Sequence, residues 1–132
     1  MSQFGFQITR DGLSALQAYP IGRDCWHARV VTANANRDGT GEIIPFTGKT
    51  GPHGTQVTMI RVLSEDATPA ETYRIFVRQP GMTAVRLVWE LAISAAMTED
   101  AQDDLFIPSG STVYASSVGG EDADIYMIGD NY

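Results

Sequence analysis

The chain has 132 residues, 43% of them apolar, with 13 glycines, six prolines and a formal charge of −7. A chain of this length is one domain that buries roughly two-thirds of its unfolded surface, enough for a core without metal or disulfide staples. Nine basic residues against sixteen acidic ones disfavour a nucleic-acid partner, whose backbone is held by Lys and Arg, and no apolar run approaches the roughly 20 residues of a membrane span.

Met1 to Arg10 lacks the basic-then-apolar order of a signal peptide, so synthesis in the cytoplasm is expected. Phe4, Phe6, Ile8, Leu13 and Leu16 mix with polar residues around the turn dipeptide Asp11-Gly12. Residues 1–21 are therefore expected to form an N-terminal arm or edge segment, free to dock on a neighbour, and residues 22–132 the folded domain. Cys25 is the only cysteine, which excludes an internal disulfide, and its expected role is that of a small buried apolar side chain.

From Trp26 the pattern is that of β structure. Trp26 to Ala33 reads as a strand, Asn34 to Gly41 as the turn region after it, and Glu42 to Thr47 as a short extended piece that Pro45 confines to a sheet edge. Gln56 to Leu63 alternates, with Val57, Met59 or Ile60, and Val62 as core candidates. Thr72 to Arg78 places Tyr73, Ile75 and Val77 on one face and Arg74, Phe76 and Arg78 on the other. Arg86 to Ala96 is long enough for a helix, but Val88, Trp89 and Ile93 favour a strand. Thr98 to Asp104 reads as a solvated acidic loop, followed by Leu105-Phe106-Ile107. Two short alternating strands around Gly119-Gly120 then end in Gly129-Asp130-Asn131-Tyr132. Seven to eight short strands separated by turn signals predict an all-β, single-domain antiparallel sandwich of jelly-roll type.

Motifs that carry chemistry fail on their spacing. Gly48-Lys49-Thr50 resembles the end of a phosphate loop, yet the glycine required five positions before Gly48 is Ile43. Asn34, Asn36, Asp38 and Gly39 open like a calcium loop whose twelfth position should be a bidentate Glu and is Pro45, leaving only a looser arrangement of Asp38 and Glu42. Cys25 and His27 share a strand face as a conceivable thiol and base, but His53 is the only other histidine and no oxyanion hole is signalled. The carboxylates of 99–104 cluster in a polar turn rather than in the apolar pocket that an acid catalyst needs. No enzyme activity, metal or cofactor is expected. Trp26, Tyr73, Trp89, Tyr114, Tyr126 and Tyr132 are candidates for a sugar-stacking platform or a subunit interface. Arg74, Phe76 and Arg78, on one face of their strand, have the composition of a contact surface, and Phe4 and Phe6 in the arm join them as candidate interface residues.

The stretch from Ala33 to Tyr132 resembles a recurring type of small structural protein of tailed bacteriophages. The likeness is one of pattern. It runs through Asp38-Gly39-Thr40-Gly41, Phe46-Thr47-Gly48, Val57 to Val62, Thr72 to Val77, Leu87 to Leu91 and Ile107-Pro108-Ser109-Gly110 to the closing Gly129-Asp130-Asn131-Tyr132. Such proteins usually end in something like Gly-Asp-Tyr, from which Asn131 departs. The resemblance implies a virion protein of the capsid decoration or cement kind, a homotrimer on the capsid exterior that braces the major capsid protein. A neck, tail or fibre component, or a carbohydrate-binding module with a row of exposed aromatics, are the competing expectations.

Overall fold

The structure is a computed structural model and describes residues 6–7, 17–18, 20–65, 70–93, 98–101 and 105–132. Its described residues form strands and no helix, in two antiparallel sheets laid face to face with a small separate ladder. The narrow sheet has the order β4 (Ile44–Pro45), β10 (Thr112–Ser117), β6 (Glu71–Arg78), β7 (Arg86–Ile93). The wide sheet has the order β3 (Gly22–Val30), β11 (Ala123–Asn131), β5 (Thr55–Ser64), β8 (Thr98–Ala101), and β9 (Leu105–Ile107) pairs the other half of β5. This is the antiparallel β-sandwich expected from the alternating patterns. Within residues 1–21, β1 (Phe6–Gln7) pairs β2 (Gln17–Ala18).

Apolar residues at every second position meet between the sheets. Trp26, Ala28 and Val30 come from β3, Ile125 and Met127 from β11, and Val57, Ile60 and Val62 from β5; facing them from the narrow sheet are Tyr73, Ile75 and Val77 of β6 with their neighbours Trp89, Val113 and Ala115. Pro45 sits on the two-residue strand at the sheet edge, where its missing N–H costs no ladder bond. Arg86 to Ile93 is a strand because Trp89 and Ile93 must both reach the core while β6 supplies its hydrogen bonds.

Two irregularities break strict alternation. On β5 the pairing with β11 steps from Met59 to Val57 while β11 advances by one residue, so Thr58 is an extra residue. The bulge lets Val57 and Ile60 both point inward and leaves Met59 outside. On β7 the pairing with β6 skips Val88 in the same way.

Two expectations are corrected here. The acidic stretch after Ala96 is not all loop: Thr98–Ala101 forms β8, because β5 has a free edge there and pairs with it from Ile60 to Leu63. The strands on either side of Gly119-Gly120 do not pair with each other. β10 joins the narrow sheet and β11 enters the middle of the wide one, since both carry apolar inner faces that meet only across the core. Glu71 holds this crossing. Its buried carboxyl accepts the Gly119 N–H at 2.8 Å on Oε1 and the Glu121 N–H at 3.1 Å on Oε2, besides the N–H of Thr72 at 2.8 Å. Replacing it removes three hydrogen bonds to a buried carboxyl and leaves partly buried amides without that acceptor, so Glu71→Ala is expected to cost about 1–3 kcal/mol in urea unfolding, where an ordinary surface change costs under about 0.5 kcal/mol.

Candidate functional site

The Arg74, Phe76 and Arg78 face is not an open surface. Phe76 is fully buried, yet it lies on the side of β6 opposite to the core residues Ile75 and Val77. What covers that side is a strap of residues 31–43. It leaves β10 where the Asn34 N–H donates to the Ser117 carbonyl, crosses β6 where Arg74 Nη1 donates to the Ala35 carbonyl at 2.8 Å, and reaches β7 where Arg37 Nη1 meets Glu90 Oε2 at 2.7 Å. At Gly39, in the left-handed region at φ +84°, a Cβ would lie 2.8 Å from that of Val85, so the strap touches the sheet there. It then returns to β4 beside β10. Arg74 is buried with it and donates Nε to Glu90. The hydrogen bonds from Arg74 and Arg37 hold the Glu90 carboxyl below its ordinary pKa. Of Arg74, Phe76 and Arg78, Arg78 alone has an exposed side chain; Phe4 lies outside the described residues, and Phe6 contributes the backbone of β1.

The outer face of the wide sheet carries most of the remaining polar chemistry. Trp26 points inward, so strand parity turns Cys25 and His27 outward, and Cys25 is exposed rather than buried as expected. His27 Nε2 lies 2.8 Å from Asp124 Oδ1, and Arg29 Nη1 donates to Asp124 Oδ2 at 3.1 Å. Arg29 also reaches Glu65 at 2.6 Å, and the Tyr126 ring lies against His27 with centroids 4.8 Å apart. The His27 hydrogen bond lowers the Asp124 pKa; partial burial opposes it and the Arg29 charge adds to it. Asp124 therefore ties β11 to β3 through the His27 imidazole and the Arg29 guanidinium. Beside this cluster Cys25, Met59, Leu63, Tyr126 and Ile128, with Arg61, line a shallow depression of about 350 Å³.

At one end of the sandwich, between β7 and β9, a second groove of about 270 Å³ is lined by Val77, Gln79, Met82, Ala84, Arg86, Val88, Phe106 and Pro108. Sequence reasoning did not single it out; its signal was isolated apolar side chains, Met82 and Phe106, in short polar surroundings.

The other motifs are absorbed by structure. A Cβ on Gly48 would lie 2.6 Å from the Trp26 ring, and Thr50 Oγ1 accepts the Gly110 N–H, so Gly48-Lys49-Thr50 braces the core and a turn. Asp38 Oδ1 accepts the N–H and hydroxyl of Thr40, Asn34 Oδ1 accepts the Asn36 N–H, and Asn34 Nδ2 donates to the Thr40 and Glu42 carbonyls. These are turn-capping bonds. Among the described residues no group of three or more His, Cys, Asp or Glu side chains is gathered as for a metal ion. Trp26, Tyr73 and Trp89 are buried, while Tyr114 and Tyr126 lie on different sheets, so the six aromatics do not make one platform. No helix among the described residues is long and apolar enough to cross a membrane. Neither a family model nor a curated protein nor a solved structure matches this chain.

Two measurements check these placements. Phe76→Ala is expected to cost about 3–5 kcal/mol, as for a core phenylalanine, and an effect near zero in chemical denaturation would put the ring back on the surface. Because Asp124 has a lowered folded pKa, its contribution is present above the unfolded carboxyl value of about 3.9 and is lost as the pH falls through the folded value. The stability difference between wild type and Asp124→Asn, about 1 kcal/mol for a partly exposed network, should therefore be present at about pH 5 and close toward about pH 2; a difference that persists in acid would show that the carboxylate charge is not its source.

Proposed function

We propose that this chain is a non-enzymatic structural protein of a tailed-bacteriophage virion, a capsid decoration protein that binds the major capsid protein from outside as a homotrimer. It would be made in the host cytoplasm and carried into the virion by assembly. The observation that carries this reading is the outer face of the wide sheet: a shallow, mostly apolar depression lined by Cys25, Met59, Arg61, Leu63, Tyr126 and Ile128, beside Asp124 and its hydrogen-bond partners His27 and Arg29. An apolar centre with a charged rim is the anatomy of a protein contact surface. Asp124 and Arg29, with His27 and Glu65, form one hydrogen-bonded set on that face, which gives the surface a fixed geometry. Many identical copies that each make modest contacts can stabilise a lattice through avidity, with no strong single site. The acidic net charge supports the same reading, since it keeps an abundant outer-shell protein soluble. The virion context rests on the resemblance of the sequence outline to small phage structural proteins.

The test is the copy number in purified virus particles from the source, by quantitative mass spectrometry against the major shell protein. A ratio near one to one, or hundreds of copies per particle, is the expected result. A few to a few dozen copies would replace the decoration role with one in the neck, tail or fibres, and absence from particles would overturn the virion reading.

A further inference from the structure

Surface apolar side chains are ordinarily scattered, and a cluster of them beside a free sheet edge is where another chain docks. Met82 and Phe106, each 50% exposed, and Val88, 39% exposed, stand together in the groove between β7 and β9. Of the large apolar side chains that the described fold leaves exposed, Ile21 and Val31 alone lie elsewhere. The groove runs along β7, which among the described residues pairs with β6 on one side and with no strand on the other.

Arg86 lines the same groove, and the bulge at Val88 is what puts it there. Trp89 stands opposite Ile75 and faces the core, so in a regular strand Arg86, three residues earlier, would point to the outer face. With Val88 as an extra residue Arg86 stands opposite Val77 and takes the inner side of the sheet, at its open rim. Arg23, Arg29, Arg37 and Arg74 each hold a carboxylate of this chain. Arg86 is exposed and has no hydrogen bond or ion pair among the described residues. On a chain with a formal charge of −7, a cation aimed into an apolar groove and left unneutralised favours a negatively charged occupant.

We propose that this groove is a docking site for an extended segment of a partner protein, which adds as a strand to the free edge of β7. Alternate side chains of that segment are apolar and rest on Met82, Val88 and Phe106, and a carboxylate meets Arg86. Backbone pairing to β7 supplies affinity; the groove and Arg86 supply selectivity. The site is separate from the outer face of the wide sheet, and the inference stands whether or not the chain belongs to a virion.

A library of linear nine-residue peptides displayed on messenger RNA, selected against the full chain, tests it. The expected result is enrichment of peptides with alternating apolar residues and at least one Asp or Glu. Arg86→Glu should weaken their binding by about tenfold or more, Met82→Ser should weaken it as well, and Cys25→Ser on the other face should leave it unchanged. Circular dichroism and thermal unfolding confirm that each variant is folded, and Arg86→Gln serves if the charge reversal is not. Failure to enrich any peptide, enrichment of basic sequences, or binding that survives Arg86→Glu would overturn the proposal. So would a wild-type chain that sediments as a dimer and becomes monomeric with Arg86→Glu, since a second copy would then fill the groove.

Discussion

Passage of the chain from one sheet to the other after Ser117 is the constraint on which this fold rests. β11 is the last strand in sequence and lies inside the wide sheet, paired along nine positions with β3 on one side and along nine with β5 on the other. Without it β3 has no ladder in that sheet. Its entry is set by the turn at 118–122, where the Glu71 carboxyl gathers the amides of Gly119 and Glu121. At the far end, Asn131 accepts from the Thr55 hydroxyl at 2.6 Å and donates to Asp24 at 2.9 Å, so the residue that departs from the expected Gly-Asp-Tyr ending stitches β5 to β3. Both ends of β11 are thus held by side chains far away in sequence, and the core assembled between the sheets depends on that placement.

The two bulges distribute the surface. Thr58 moves Met59 out of the core and into the depression on the wide sheet, beside Ile128. Val88 turns Arg86 toward the open rim of the narrow sheet. One extra residue reverses which face every later side chain occupies, so each bulge exchanges a core position for a surface feature. The depression on the wide sheet and the basic-mouthed groove follow from these reversals, and both offer apolar area to another chain.

The strap shows the opposite use of a loop. Residues 31–43 close over Phe76 with backbone and arginine bonds to β10, β6 and β7, converting an outer sheet face into a second, small interior. A composition enriched at interfaces, arginines flanking a phenylalanine, is here an internal interface between a loop and its own sheet. The same desolvation and charge-assisted bonding serve either purpose. Strand parity identified the shared face of Arg74, Phe76 and Arg78 correctly; what lay against it was a separate matter.

Alternation and turn residues alone determined that the chain is an antiparallel β-sandwich. They also determined that Tyr73, Ile75 and Val77 face inward, that Cys25 and His27 share a face, and that Pro45 lies on an edge. Each is a property of residues within a few positions of one another, where the two-residue period and the missing proline N–H act directly. Tertiary structure decided the sheet to which β10 and β11 belong, the strand at Thr98–Ala101, the bulges at Thr58 and Val88, the burial of Phe76 and the exposure of Cys25. These depend on partners distant in the chain, such as Ala35 for Arg74 and Gly119 for Glu71. A local pattern states which side a residue faces, and only the assembled sheets and strap determine whether that side meets water.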